Sequence, residues 1–583
     1  MENNRLNSLK ESLKKYNLDA YFLNTSDYHL SEYVPEYFKT IAYFSGFSGS
    51  LASLIVDQEK AYIFVDGRYH IQAEKECYEG IEVIKLGTSG AIDADEFLIK
   101  NYKDKIIGLD GKRTNINFVK KLQEKGLNIK SIDIYSELIE NRPLLSTSVL
   151  KELSIEYTGL KRKDKIDRIK YCLNGKSHIV NNLESIAYTL NLRGDDIAYT
   201  PVFLSFLIFY KNDVYFFIDI KRLNPEILDG LYADGIIIRP YEEYYDFLKE
   251  IKKQIVLLDE LKVNYESYIR LMPNNKIINM PSIIEEMKAI KNETEINNSK
   301  LAHIYDGVAL ARFFYWLSKQ NKEDLDESII ADKVNEFRLN YKAFDLSFKP
   351  IVAYNSNAAM MHYSPSKENC TKLKNEGILL IDSGGQYLQG TTDITRTFAL
   401  GKVDDIVKKH FTIVLKSMFN LSSVKFLSGM TGKQLDILAR KDIWEESIDY
   451  RCGTGHGVGH VLAVHEAPPN IRYMSTVSKS EDIPFKPGHI VSDEPGIYLE
   501  GKYGLRCENM LLVRKDEKNE YGQFLKFETL TMCPFDIELI DKKYLDEKTI
   551  KILNDYHQEV YEKLSPYLND EERDYLAHLT RSI

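Results

Sequence analysis

Two carboxylates eleven residues apart, Asp382 and Asp393, lie in the stretch ILLIDSGGQYLQGTTDITRTF (378–398). ILLID reads as a buried strand that ends in an acid, and TTDITRTF as a second strand. Gly384, Gly385 and Gly390 supply turn material between them. Strands joined in this way form a hairpin-like unit on which both acids can converge. Buried carboxylates repel each other unless positive charge lies between them, and the usual source of that charge is a metal ion.

The last third of the chain offers the remaining ligands. GTGHGVGH (453–460) sets His456 in a glycine-rich turn that leaves the imidazole unobstructed. DEPG carries Glu494 and RCEN carries Glu508. Asp382, Asp393, His456, Glu494 and Glu508 together make four carboxylates and one imidazole. Four negative charges balance two divalent cations. Oxygen-rich ligation with one nitrogen suits Mn2+, Co2+ or Zn2+, and the lack of thiolates disfavours a structural zinc.

These residues need a scaffold, and 583 residues are too many for one ordinary core. An apolar fraction of 44% is that of a globular protein. The net charge of −10, without long single-sign blocks, argues against nucleic acid as the main partner. Six cysteines are scattered without CxxC pairs, which fits a reducing compartment. The first residues, MENNRLNSLKESLKKYN, form an amphipathic helix start without the apolar core of a signal peptide. The longest apolar run, Phe203–Tyr210, is too short to span a membrane. A soluble, cytoplasmic protein is expected.

Residues 1–143 alternate helix and strand patterns. Ser50–Val56 and Ala61–Val65 read as a hairpin, followed by DGRY (66–69) and a helix through Cys77. Asn141-Arg142-Pro143 reads as a linker. Residues 144–286 repeat the plan in pattern but not in letters, with a second hairpin over Val202–Tyr210 and Val214–Ile220. From 287 to 583 the character changes. A long helix is expected over Lys288–Leu317 and another over Leu325–Arg338. Strand-rich segments then include Ile378–Ile381, Ile394–Phe398, Val461–Val464, His489–Ser492 and Asn509–Val513.

The set HY…DSGGQYLQGTTDITRTF…GTGHGVGH…VHE…DEPG…RCEN resembles the metallopeptidases of the pita-bread fold. Within them it is most similar to the three-domain Xaa-Pro aminopeptidases, or aminopeptidases P. The likeness extends to DGRYHIQA (66–73) and NLRGDDIAYTPVFLSF (191–206). It implies a mixed α/β and α+β chain, with two creatinase-like N-terminal domains before a pita-bread catalytic domain. It implies that Asp382 binds one metal, that Asp393 and Glu508 bridge, and that His456 and Glu494 complete the second. It also implies a homodimer and peptide substrates with proline in second position.

The chemistry of the residues agrees. Two metals a few Å apart share a hydroxide and bring its pKa towards neutrality, giving a nucleophile without an activated serine. His362 and His465 are candidates to donate hydrogen bonds to the tetrahedral intermediate, and both resemble the family's histidines in those roles. Glu494 is a candidate proton relay to the leaving group. Arg506 is a candidate to orient a ligating carboxylate. Arg68, in DGRY, matches a family arginine that reaches substrate. An Xaa-Pro bond has no N–H, so a site that relies on metals rather than on that donor suits it.

One position departs from the family. Cys452 stands where a histidine is common, four residues before His456, and His460 is an extra histidine four residues after it. The metals are expected to tolerate this change. Competing readings are a prolidase, which normally has one N-terminal domain, and a metal-free module that binds peptides, which would have lost ligands.

Overall fold

A computed structural model describes residues 2–583. The chain divides into two compact units. One takes in the residues up to Ile155 and Leu160–Glu285, and the other takes in Glu156–Gly159 and Glu286–Ile583.

Two six-stranded sheets in the first unit follow one plan. The first runs Ile81–Lys85, Ala61–Val65, Ser53–Asp57, Ala20–Asn24, Ile106–Leu109, Asn128–Ser131. The second runs Ile236–Arg239, Asp213–Phe217, Phe206–Tyr210, Ser177–Val180, Ile255–Leu258, Lys276–Asn279. In both, the second to fourth strands are antiparallel and the other pairings parallel. The repeat read from pattern is therefore present in strand order and direction. Its second hairpin turns on Lys211 and Asn212 alone. Both have positive φ, the conformation that matches the twist of the flanking strands. The two repeats meet at equivalent helix caps. Asn115 caps one helix through the Phe118 amide and Asn264 caps the other through the Ser267 amide. Tyr265 N donates to Thr114 O at 2.8 Å and Ile116 N to Val263 O at 3.3 Å.

The second unit opens differently from the sequence expectation. The helix expected over 288–317 is two helices, Ile283–Ala289 and Glu293–Ser318. Asn292 breaks it. Its side chain accepts from the Glu295 amide while the Glu295 carboxylate accepts from the Asn292 amide, and this capping box starts the second helix. Leu325–Arg338 is matched by Glu327–Leu339. Strands Ile351–Tyr354, Ile378–Ser383 and Ile394–Ala399 form one antiparallel sheet. Lys425–Leu427, Gly522–Thr529, Asn509–Asn519 and Ile490–Asp493 form another.

The strand expected over Val461–Val464 does not form, and Val461 has a φ of 53°. The Leu462 carbonyl is taken instead by the Gln386 side chain at 2.8 Å. Helices Asp405–Ser422 and Gly432–Glu445 cover the apolar core, with Glu547–Leu564 from the C-terminal part. None of the six cysteines forms a disulfide among the described residues. Among the described residues, no helix is long and apolar enough to cross a membrane.

Candidate metal centre

Strand register closes the gap between the two aspartates. Asp382 pairs with Thr395 and Ser383 with Ile394, so Asp393 lies one residue beyond the strand and beside Asp382. The second sheet does the same for the glutamates. Asp493 pairs with Asn509, which puts Glu494 and Glu508 side by side at the strand ends. The sheets join where the Glu508 amide donates to Thr395 O at 3.3 Å. His456 enters from the glycine-rich turn, with its amide on Ser492 Oγ at 2.9 Å. This approach needs Gly455, because a Cβ there would lie 2.0 Å from the Ser492 carbonyl oxygen.

Asp393, His456 and Glu508 offer ligand atoms that all lie within 4.8 Å of one another. His456 Nδ1 is 2.9 Å from Gly457 O. A carbonyl only accepts, so in the neutral ring Nδ1 carries the proton and the Nε2 lone pair is free. Nε2 faces Asp393 Oδ2 at 3.6 Å and Glu494 Oε1 at 3.3 Å. Glu494 Oε1 also accepts from Ser492 Oγ at 3.1 Å.

Each of the other carboxylates keeps a bare oxygen. Asp382 Oδ2 is held by Arg506 Nη2 at 2.5 Å, and Glu508 Oε2 by Thr395 Oγ1 at 2.8 Å. Asp382 Oδ1, Asp393 Oδ1 and Glu508 Oε1 are buried and meet no donor. Burial pushes the Asp393 carboxyl well above the usual range, and Asp382 and Glu494 add to this. Burial does the same to Glu508, with Asp393 and Glu494 adding their charge. Burial also raises Asp382, against the pull of Arg506. Burial pushes Glu494 up, but His456, Arg506 and His465 outweigh it and hold the carboxyl low. Bare, buried carboxylate oxygens clustered with one imidazole are the donor set a divalent cation takes.

The His465 ring stands edge-on to the His456 ring, with centroids 4.4 Å apart. The next residue, Glu466, is buried and ion-paired to Lys288 at 3.1 Å and Lys291 at 2.9 Å. Its amide donates to the Gly457 carbonyl that also orients His456. The His465 segment is thus fixed by ion pairs rather than by a strand. Arg506 reaches Thr395 Oγ1 at 2.9 Å and the Tyr498 hydroxyl at 2.7 Å, so one guanidinium links the sheet of Asp382 to the strand Gly496–Leu499. His362 lies in the turn after 355–359. Arg68 belongs to the first unit, where Asp66 Oδ2 binds its Nη2 at 2.7 Å.

Two buried residues beside the ligands escaped sequence reasoning. Arg396 donates to the Glu508 carbonyl at 2.5 Å, Cys533 O at 2.7 Å, Pro534 O at 3.1 Å and the Tyr556 hydroxyl at 3.0 Å. It ties the backbone of a candidate ligand to the C-terminal helix Glu547–Leu564. An arginine inside the strand that follows Asp393 was the available signal. Asp493 is wholly buried and neither carboxylate oxygen meets a protein donor. Burial, with Glu494 and Asp436 nearby, holds its carboxyl well above the usual range.

Family models match the chain along most of its length. Metallopeptidase family M24 covers 297–515 and its C-terminal region covers 523–583. Two Creatinase/Prolidase N-terminal domain models cover 5–142 and 141–295. A probable Xaa-Pro aminopeptidase P of Pyrenophora teres f. teres is 36% identical over 97% of this chain and 90% of its own. One from Laccaria bicolor is 35% identical over 98% and 91%. The crystal structure of X-prolyl aminopeptidase from Caenorhabditis elegans, described as a cytosolic enzyme with a di-nuclear active site, superposes with a TM-score of 0.93. It is 30% identical and covers 100% of this chain and 99% of that one. Bacillus anthracis Xaa-Pro dipeptidase, at 23% identity and TM-score 0.51 over 64% of this chain and 99% of its own, shares the fold. With two creatinase-like domains, a pita-bread catalytic domain and a candidate metal cluster, the chain belongs to the Xaa-Pro aminopeptidase P family of metallopeptidases.

Proposed function

We propose that this enzyme releases the N-terminal residue from peptides with proline in second position, using two divalent cations. The observation that carries this reading is the cluster of Asp393, His456 and Glu508, whose ligand atoms all lie within 4.8 Å of one another, with donor-free buried oxygens on Asp382, Asp393 and Glu508. Asp382 would hold one cation, Asp393 and Glu508 would bridge, and His456 with Glu494 would hold the second. The oxygen-rich set favours Mn2+, with Co2+ or Zn2+ as substitutes. When bound, the pair supplies Lewis-acid polarisation of the scissile carbonyl and an activated water.

The remaining work falls to side chains. His465, edge-on to His456, donates to the developing oxyanion, with His362 as a second donor. The leaving proline nitrogen is a poor leaving group until protonated, and Glu494 passes it the proton. Arg506 fixes Asp382 so that its bare oxygen keeps one direction. Arg68 contacts the substrate. Domain boundaries near 143 and 286, a homodimer and a cytoplasmic location complete the reading.

The competing reading is an Xaa-Pro dipeptidase. The C. elegans enzyme, which covers this chain end to end, favours the aminopeptidase. Comparing an Xaa-Pro-Xaa tripeptide with an Xaa-Pro dipeptide tests the choice. Cleavage of the tripeptide is expected, and cleavage of the dipeptide alone would reverse the assignment.

A further inference from the structure

Glu327 has no part in the chemistry above, yet it is fully buried at the first residue of helix Glu327–Leu339. Its carboxylate collects donors from both ends of one loop. Oε1 accepts from the Tyr354 amide at 2.6 Å and from Asn357 Nδ2 at 2.9 Å. Oε2 accepts from the Tyr363 hydroxyl and from the Thr371 amide, both at 2.7 Å. The Glu327 amide in turn donates to Thr371 O at 3.2 Å. These donors to the carboxylate are neutral. Burying an acid this way costs free energy unless charge-assisted hydrogen bonds and a helix N-terminus offset it, and Glu327 has both.

The loop between these anchors, 355–371, carries His362. It returns to the Asp382 end of the sheet. Ser364 Oγ donates to Pro350 O at 3.3 Å, and the next residue, Ile351, pairs with Asp382. Tyr363 packs in one apolar cluster with Ile351 and Leu380. On its other side the loop lies against the strand of Arg506. A Cβ on Gly504 would sit 1.8 Å from the Ala358 carbonyl oxygen, so only glycine admits the contact. The loop is thus gripped between Glu327 and the Tyr503–Arg506 strand, and His362 is next to the tyrosine that Glu327 binds.

We propose that Glu327 is a positioning residue for His362. Its carboxylate fixes the 355–371 loop so that the imidazole meets the scissile carbonyl in the transition state. The proposal rests on the reading of His362 as a donor to substrate. A purely structural carboxylate would lower stability without acting through His362, and that difference can be measured.

The test is a double-mutant cycle on the metal-loaded, full-length protein with an Xaa-Pro-Xaa peptide. Glu327→Gln keeps the shape but loses one acceptor oxygen. It is expected to lower kcat about 10- to 100-fold with KM nearly unchanged and metal content intact. In a His362→Ala background the same change is expected to cost less than about threefold, because its target is gone. Tyr363→Phe removes one donor and is expected to follow the same pattern more weakly. It carries the test if Glu327→Gln does not fold. Equal costs of Glu327→Gln in both backgrounds, or an unchanged kcat, would overturn the proposal while leaving the function intact. Wild-type kinetics in His362→Ala would remove the reading of His362 and the proposal with it.

Discussion

Arg506 Nη2 sits 2.5 Å from Asp382 Oδ2 and leaves Asp382 Oδ1 bare. The same guanidinium holds Thr395 Oγ1, which in turn holds Glu508 Oε2. One guanidinium therefore orients two candidate ligand carboxylates, Asp382 directly and Glu508 through Thr395. Arg506→Gln is expected to weaken metal binding and lower kcat, each by about 10- to 100-fold. Metal titration alongside steady-state kinetics checks this. Unchanged metal affinity would confine Arg506 to packing.

The two aspartates should fail differently. Asp393 Oδ2 faces His456 while Oδ1 is free, the arrangement of a bridge. Asp393→Asn is expected to disturb both metals, and Asp382→Asn chiefly one. Metal stoichiometry of the two purified variants decides it, and equal losses would contradict the assignment.

Cys452 is half-buried, with Tyr498 in the cluster beside it, and Arg440 Nη2 donates to its backbone carbonyl. Cys452→His is therefore expected to leave metal content unchanged while altering the rate or preference among peptides. Loss of metal would place this side chain among the ligands.

Acid should loosen the catalytic unit through two neutral histidines. Burial pushes His489 down to about 3, helped by Lys291 and Lys486, and His557 to about 3, helped by Arg396. Each ring accepts a backbone amide, from Lys486 at 3.2 Å and Phe535 at 3.0 Å. Below the unfolded value of about 6.5, the unfolded chain binds protons that the fold refuses. Stability is then complete above that pH and falls as pH drops towards 3, by up to about 1.4 kcal/mol per unit for each ring. His557→Asn is expected to reduce the shift in urea midpoint between pH 7.5 and pH 5.5. A shift equal to the parent's would contradict this.

Much of this arrangement was legible in the chain because it is local. The strand-like runs that end at Asp382 and follow Asp393 give the paired strands that bring them together. The hairpin patterns of the two N-terminal repeats give matching sheets. What was not legible depends on distant partners. Val461–Val464 has strand-like residues, but Gln386, 76 positions away, takes the Leu462 carbonyl. The break before Glu293 was written in Asn292 and Glu295, where the capping box outweighs the helical spacing on either side. Arg396 and Glu327 look like ordinary charged residues until partners far along the chain bury them.

Metal-dependent cleavage before proline is the property on which the proposed activity stands. The direct measurement is hydrolysis of a short Xaa-Pro-Xaa peptide and an Xaa-Ala-Xaa control, by chelated protein and after addition of Mn2+. Mn2+-dependent release of the first residue from the proline peptide is expected, with the alanine peptide cleaved far more slowly. Equal cleavage of the two peptides, or activity that survives chelation unchanged, would contradict it.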